Sequence, residues 1–380
     1  MPEGFFLLFP TRLSRPLCVA LGLFIAVADG PAAELRTRNV LLVTIDGLRW
    51  QEVFRGADEA YIDLENGGVS VREQPHVRAS ALAETAEARR NLLMPFLWSE
   101  VASRGQLIGN RDIGSAAAVS NEHSISFPGY NELLTGWPDP AITSNFPRPN
   151  PNVTVLEWLD AQSAMQGRVV ACATWQIFPF ILNVGRSRFP LWVSGRHSRL
   201  DRVSPQMADI QRWMDDVTPK SGDEHFDAFA YRAAMDLIDT HQPRLLFVAF
   251  GEPDTWAHRR NYDRYLDSTR RCDRFIREIW EKLQSLPQYR DSTTLIITTD
   301  HGRGMTPQDW IHHSKNTPES NQTWIAAMGP DTPSMGERRD SAPVISAQIA
   351  ATVAKFLGED YVTAVPKAAP PIADFYPGAE

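Results

Sequence analysis

Three acidic residues follow short apolar runs that are far apart in the sequence. Asp46 comes directly after Val40–Ile45, Asp254 follows Leu245–Phe250, and Asp300 follows Thr294–Thr298. If these runs are parallel strands, their carboxyl ends lie at the sheet edge where open α/β folds bind ligands. Carboxylates crowded at one edge repel each other unless cations neutralise them. Histidines accompany two of the acids, as His258 and His301. Because Asp and His together bind zinc and its first-row neighbours, the pattern predicts a metal site.

The elements that must position these residues alternate along the chain. The three runs, and a fourth at Val169–Thr174, are too short for helices and read as strands buried on both faces. Helical periodicity predicts a helix over Tyr262–Leu286, ended by Pro287, and another over Pro343–Gly358. Strands that alternate with helices predict an α/β fold, a three-layer α/β/α sandwich with a mostly parallel central sheet.

Two irregular stretches interrupt this alternation and predict long decorating loops. Ala57–Arg89 is charged before it turns helical, and Pro138–Pro151 contains five prolines. Loops of this length are often lids or rims of a site, so we expect them to shape substrate selection. With no internal repeat, we expect one catalytic domain over residues 34–380.

The first 33 residues have the layout of a secretory signal. Arg12 and Arg15 precede the apolar run Leu17–Ala28, and small residues end at Ala32–Ala33. The run is short for a membrane span, although an uncleaved anchor is the alternative interpretation. We therefore expect export to the periplasm or medium, with no membrane span after the signal is removed.

Composition excludes nucleic acid as a partner and leaves the state of the cysteines open. The net charge of −8 and the pI near 5.7 give no basic footprint for nucleic-acid binding. Cys172 and Cys272 are an even pair beyond the signal, and they read either as a disulfide or as two buried thiols.

An ordered set of motifs resembles the alkaline phosphatase superfamily, and in particular its nucleotide pyrophosphatase/phosphodiesterase-like branch. The matching segments are Asn39–Gly47, Ser126–Asn131 continuing to Gly136, Asp254–His258, Thr299–Gly302, and a downstream histidine at His312 or His313 followed by Gly329–Pro330. We prefer His313 to His312 because its spacing from Trp310 is like that of relatives. The set covers the chain roughly from Asn39 to Pro330.

The resemblance implies a hydrolase of small-molecule phosphate esters, phosphodiesters or phosphomonoesters, with two divalent metal ions. Zinc suits the residues best, and manganese or iron would also be accommodated. One site would consist of Asp46, Ser126, Asp300 and His301, and the other of Asp254, His258 and His313. Ser126 would attack phosphorus as a metal-activated nucleophile, giving a covalent phospho-serine that water then hydrolyses.

The chain departs from the family pattern beside the nucleophile. Family phosphodiesterases commonly place an asparagine near the nucleophile as a phosphate contact, whereas Gly129 stands three residues after Ser126. Asn121 and Asn131 lie close to Ser126 in the sequence and Arg303 lies close to His301, so we expect these residues to contact the substrate instead.

Three other functions use the same fold or the same residues. A sulfatase needs an arginine for formylglycine formation where this chain has Tyr130, and a phosphonate hydrolase would use the same metals. A non-catalytic, metal-stabilised binding module is the third alternative, and the complete nucleophile and ligand set argues against it.

Overall fold

The computed structural model describes residues 4, 34–195, 198–222 and 224–377. The predicted signal segment lies outside the described residues apart from Gly4. The described residues from Leu35 onward belong to one compact unit. In the described part, no helix combines the length and apolarity needed to cross a membrane.

The strands belong to two sheets. They are β1 Asn39–Ile45, β2 Gly105–Ile108, β3 Ala117–Ala118, β4 Val169–Ala173, β5 Leu191–Val193, β6 Leu245–Phe250, β7 Thr293–Thr298, β8 Gln322–Thr323, β9 Ile325–Met328, β10 Gly336–Glu337 and β11 Val344–Ile345. The main sheet has the order β10-β2-β9-β7-β1-β6-β4-β5, and the small sheet has the order β11-β3-β8. The five strands from β7 to β5 are parallel, and β9 is antiparallel to both of its neighbours.

Helices surround the main sheet. They are α1 Trp50–Arg55, α2 Gln74–Ala81, α3 Ala86–Leu93, a π-helix Leu97–Val101, α4 Ala102–Arg104, α5 Ser126–Thr135, α6 Val155–Asp160, α7 Phe178–Ile181, α8 Pro205–Asp216, α9 Asp227–His241, α10 Glu252–His258, α11 Tyr262–Ser285, α12 Gln348–Phe356 and α13 Tyr361–Ala364; short 3-10 turns lie at Glu59–Tyr61, Arg111–Ile113 and Ala373–Phe375.

The core lies on both faces of the sheet, which confirms the predicted α/β/α architecture. In β1, Leu41 and Val43 pack into the cluster that contains α9 and α11, whereas Val40 and Leu42 pack into the cluster that contains α5 and α12. Every residue of β1 is buried, as expected of a strand covered by helices on both sides.

The last predicted helix begins later than its sequence pattern indicates. Pro343 reads as a first helical residue, but Val344 and Ile345 instead form β11 beside Ala117–Ala118 in the small sheet. The helix starts only at Gln348. The β-branched pair therefore follows its strand preference because a partner strand is available, and the prediction was wrong over these residues.

Both cysteines are buried free thiols. Cys172 Sγ donates to the Ala230 carbonyl at 3.0 Å, and Cys272 Sγ faces Asp227 Oδ2 at 3.7 Å. The thiol interpretation of the sequence is the one that the structure bears out.

Candidate active site

The three strands that end in acids are neighbours at the centre of the sheet. β1 pairs in parallel with β6 on one side and with β7 on the other. Asp46 continues the ladder by donating its backbone N–H to Phe250 O at 2.9 Å, and α10 begins at Glu252 just beyond β6. The carboxyl ends of these strands therefore bring Asp46, Asp254 and Asp300 to one edge, as the sequence predicts.

The first group of side chains converges on one nitrogen of His301. Its Nε2 lies 3.2 Å from Ser126 Oγ, 3.5 Å from Asp46 Oδ1 and 3.4 Å from Asp300 Oδ2. His301 and Asp300 are fully buried, and Ser126 is the first residue of α5. Asp46, Asp300 and His301 are arranged so that one cation could contact all three.

The hydrogen bond at the other nitrogen of His301 sets the tautomer of its neutral ring. Nδ1 lies 2.9 Å from the Gly302 carbonyl, to which it can only donate, so Nε2 carries a lone pair. In a Ser-His-Asp triad the carboxylate would occupy the nitrogen opposite the serine. Here the serine and both carboxylates share one nitrogen, which is the arrangement of ligands around a common ion.

The second group lies beside the first and is more open. His258 Nε2 lies 2.9 Å from His313 Nε2 and 3.3 Å from Asp254 Oδ2, and His313 Nε2 lies 3.7 Å from Asp254 Oδ1. The His313 ring stacks on the His301 ring at 3.8 Å, so the two groups adjoin. The structure brings His313 into this group and leaves His312 exposed.

A backbone carbonyl near the nucleophile orients His313. Its Nδ1 donates to the carbonyl of Ser124 at 3.0 Å, which leaves its Nε2 lone pair facing the group. Ser124 has a φ of 47°, an uncommon conformation for a residue other than glycine. The segment that carries Ser126 therefore also holds a histidine of the second group.

The charges of the two groups fit divalent cations. Asp46 Oδ1 and Asp300 Oδ2 are buried and have no hydrogen-bond donor among the described residues. Burial and the neighbouring Asp300 raise the pKa of Asp46 well above its ordinary value, and burial likewise raises the pKa of Asp300. Burial, together with His301, lowers the pKa of His313, which favours the neutral imidazole that binds metals. Bound cations would remove the repulsion and satisfy both oxygens.

Arg303 lies within the site but contacts protein groups. Its side chain is fully buried, and it pairs with Asp254 Oδ1 and donates to the Asp254 carbonyl at 3.1 Å. Burial alone would raise the pKa of Asp254, but Arg303 and His258 more than offset this effect and hold the pKa well below its usual range. A side chain at Gly47 would collide with this pair, since its Cβ would lie 2.6 Å from Asp254 Oδ1.

The two asparagines proposed from sequence proximity have structural partners. Asn131 Oδ1 accepts from Asn150 and Asn152, at 3.2 and 3.0 Å, and this bonding ties α5 to the proline-rich loop. Asn121 Oδ1 accepts from the backbone of His123 and Ser124. A substrate contact by Asn121, Asn131 or Arg303 stays a prediction, and each would have to give up part of this bonding.

Sequence reasoning missed Asn145 and Glu132. Asn145 Oδ1 accepts from the Phe127 N–H at 2.8 Å, which places this amide at the start of α5 beside the nucleophile. Glu132 is fully buried in α5 and accepts from the backbone of Ser120, Asn121 and Ala347. The sequence signals were the prolines around Asn145 and, for Glu132, a charge within an apolar helix. Neither signal reveals which groups these two side chains contact.

Gly129 and Tyr130, where the chain departs from related motifs, fit the site closely. A Cβ on Gly129 would lie 2.3 Å from the Asp300 carbonyl oxygen, so α5 packs directly on the backbone of the metal-ligand segment. Tyr130 is buried, and its hydroxyl donates to Asp46 Oδ2 at 3.3 Å.

Two residues of the predicted rim stretch Ala57–Arg89 form hydrogen bonds with the segment between Arg303 and His313. Tyr61 donates to the Met305 carbonyl, and Trp310 donates to the Asn66 carbonyl, both at 2.9 Å. These bonds fix the segment between Arg303 and His313. A rim role of the remaining residues in this stretch stays a prediction.

Comparison with known proteins gives one family match and several structural likenesses. The profile of the family described as type I phosphodiesterase / nucleotide pyrophosphatase matches residues 132–364, more than half of the chain. The match includes the acids and histidines after β6 and β7 and begins just after Ser126. No curated protein matches the chain.

Solved structures with this fold share little sequence with the chain. The alkaline phosphatase PafA has a TM-score of 0.57 and 10% identity, with 91% of this chain and all of that one covered. A 2-O GAG sulfatase has a TM-score of 0.51 and 13% identity, covering 90% of this chain and 75% of that one. The lipoteichoic acid synthase LtaP from Listeria monocytogenes has a TM-score of 0.50 and 10% identity, covering 85% and 72%.

Proposed function

Since the chain belongs to the type I phosphodiesterase / nucleotide pyrophosphatase family, we propose that it is a two-metal phosphodiesterase that forms a covalent phospho-serine at Ser126. In this proposal residues 34–380 are a single catalytic domain, exported by the signal of residues 1–33. The mature protein should begin near residue 34, which N-terminal sequencing of the exported protein would test.

The observation that carries the proposal is the convergence of Ser126, Asp46 and Asp300 on His301 Nε2. The three separations from that nitrogen are 3.2, 3.5 and 3.4 Å. Ligand atoms on a tetrahedron about 2.0–2.2 Å from zinc would lie about 3.3–3.6 Å apart. The separations therefore support a zinc-sized ion in contact with all four groups. The separations in the second group, 2.9, 3.3 and 3.7 Å, scatter around this range, and its two histidine nitrogens and one carboxylate would hold another ion after small adjustments.

In the proposed assignment Asp46, Ser126, Asp300 and His301 hold one ion, and Asp254, His258 and His313 hold the other. Two bound ions would lower the pKa of the serine hydroxyl and neutralise charge on the attacking and leaving oxygens. The protein residues supply the geometry, because Gly302 and Ser124 fix the tautomers of His301 and His313.

Ser126 does the covalent chemistry in two displacements. Its Oγ gives up its proton and forms a bond to phosphorus while the bond from phosphorus to the leaving oxygen breaks, and that oxygen takes up a proton to leave as the alcohol. Water then gives up a proton and forms a bond to phosphorus while the bond to Oγ breaks, and Oγ regains a proton. Asn145, whose Oδ1 accepts from the Phe127 N–H, would donate from Nδ2 to a phosphoryl oxygen in this proposal.

The charge balance of the site favours a diester over a monoester. A monoester dianion brings one more negative charge than a diester, and it needs an additional cation. Among the described residues, Arg303 is already paired with Asp254 and Lys220 with Glu224, so neither is free to take that charge. Together with the family match, this favours a monoanionic diester.

The test is metal analysis of the purified protein together with a panel of four p-nitrophenyl substrates. They are a phosphodiester, a phosphomonoester, a phosphonate ester and a sulfate, assayed with and without a chelator. We expect two ions per chain, fastest hydrolysis of the diester, and loss of turnover on chelation. Turnover of the sulfate alone would establish the sulfatase alternative instead. Bound metal without turnover of any of the four substrates would favour the binding module.

A further inference from the structure

The segment between α8 and α9 carries two buried charges of opposite sign. The Lys220 side chain is fully buried, the Glu224 side chain is nearly so, and Lys220 Nζ donates to Glu224 Oε1. The backbone closes around the pair, because the Lys220 N–H donates to the Glu224 carbonyl at 2.8 Å. A buried ion pair rarely stabilises a fold more than apolar side chains of the same volume would, so stability alone does not account for the pair.

Lys220 contacts the metal-ligand helix α10 at two points. Its Nζ donates to Thr255 Oγ1 at 2.9 Å, and its carbonyl accepts from the guanidinium of Arg259. Thr255 directly follows Asp254, and Arg259 directly follows His258. Both contacts therefore hold residues next to the two candidate ligands that α10 supplies.

Glu224 lies against the start of the same helix. A Cβ on Gly251 would stand 3.1 Å from Glu224 Oε1, so this carboxylate touches the turn that leads from β6 into α10. Its charge adds to the negative field that raises the pKa of Asp46. Lys220 balances that charge within the protein, so the pair adds no net charge next to the metal ligands.

We propose that Lys220 is a positioning residue for the second metal site, because it holds α10 through Thr255 and Arg259 and thereby sets Asp254 and His258. This inference rests on the two-metal function proposed above. It assigns Lys220 no contact with the substrate, because the side chain is buried away from solvent.

Substitution of Lys220 distinguishes positioning from a purely electrostatic effect, because the two predict opposite changes in the affinity of the second site for its metal ion. If the ammonium acted only through its charge, Lys220→Met would leave Glu224 uncompensated and bind a divalent cation more tightly. If Lys220 positions α10, the same variant binds the second ion more weakly despite the more negative surroundings.

The experiment measures the affinity of each Zn²⁺ site in the full-length protein by competition with a chromophoric chelator. The single variants are Lys220→Met, Thr255→Val and Thr255→Ser, and a double variant combines Lys220→Met with Thr255→Val. Lys282→Met, at a partly exposed ion pair with Asp239, is the surface control.

We expect Lys220→Met and Thr255→Val each to weaken the second ion at least about tenfold and to leave the first unchanged. The double variant should lose less affinity than the sum of the two single losses, because the two substitutions share the Lys220–Thr255 contact, although each also breaks one of its own, with Glu224 or with the Gly251 carbonyl. Thr255→Ser keeps the hydroxyl and should bind like wild type, as should Lys282→Met. The turnover lost in Lys220→Met should return in excess Zn²⁺.

An unchanged or tighter second site in Lys220→Met, or equal affinities in Thr255→Val and Thr255→Ser, would overturn the inference. If Lys220→Met does not fold, judged by circular dichroism, the two Thr255 variants decide the question. A wild-type protein that binds fewer than two ions would refute the proposed function as well. Wild type with two ions and active on esters, but with no difference between the Thr255 variants, would refute this inference alone.

Discussion

Replacing Glu132 by glutamine tests how α5 holds the segment that leads to the nucleophile. The Glu132 carboxylate is fully buried and accepts hydrogen bonds at both oxygens. Oε2 accepts from the backbone and the side-chain amide of Asn121 at 2.8 and 2.9 Å, and Oε1 accepts from Ser120 Oγ at 2.8 Å and Ala347 N at 3.2 Å. The Ser120 N–H lies within 3.0 Å of both oxygens.

The substitution keeps the shape of the side chain and turns one acceptor into a donor. If Oε2 becomes the amide nitrogen, both Asn121 donors lose their acceptor. If Oε1 does, the Ser120 hydroxyl can turn to accept from the amide, and only the buried Ala347 N–H is left unsatisfied. The second orientation costs less, and an unsatisfied buried donor costs about 1–3 kcal/mol, so Glu132→Gln should lower the free energy of unfolding by about 1–3 kcal/mol. The loosened segment leads from Asn121 to Ser126, so turnover should fall at least about tenfold in the folded variant.

Urea unfolding of the metal-free protein measures the first effect without a contribution from bound ions. Glu281→Gln is the matched control, because Glu281 is exposed and pairs with Arg277 only at 3.8 Å. This control should change the free energy of unfolding by less than about 1 kcal/mol. If Glu132→Gln unfolds at the same urea concentration as Glu281→Gln, the carboxylate does not hold the segment, and the reasoning fails.

Two further predictions concern the nucleophile and a buried acid outside the site. Ser126→Ala should lose turnover by at least about 10³-fold while both ions stay largely bound, since the remaining ligands are unchanged; retained hydrolysis would contradict the covalent route. Metal content by mass spectrometry and initial rates check both parts. Burial raises the pKa of Asp273, which accepts from the backbone of Phe96 and Leu97, to about 7. The folded chain therefore holds this proton more tightly than the unfolded chain. The stabilisation is complete below about pH 4 and is lost as pH rises towards 7, by up to about 1.4 kcal/mol per unit. The stability of metal-free Asp273→Asn should fall less over this range than that of wild type, and equal slopes in urea unfolding would count against the shift.

The sequence predicts the parts of the fold that one-dimensional patterns encode. β1, β6 and β7 are buried on both faces, so their composition alone marks them, and their ends fall within one residue of the prediction. The acids after these strands meet because parallel strands share one carboxyl edge. The positions of His258 and His301 follow from the same argument, because these residues come shortly after Asp254 and Asp300 in the sequence.

Contacts between distant loops are what the sequence does not predict. Asn145 contacts the start of α5 from an irregular loop, and Lys220 contacts α10 across about 35 residues of sequence. Hydrophobic periodicity predicts neither contact. β11 forms only because β3 offers it a partner. These contacts depend on the path of each loop in three dimensions, which neither propensity nor spacing records.

The contact of Gly129 with the Asp300 carbonyl couples two parts of the site mechanically. A glycine inside a helix weakens it by roughly 1 kcal/mol relative to alanine, yet here it lets α5 touch the segment after β7 with no intervening side chain. Ser126 at the start of α5 and the candidate ligands after β7 should therefore move as one rigid body during thermal fluctuation. In the proposed mechanism this joint would keep the distance from Ser126 to those ligands constant through both displacements.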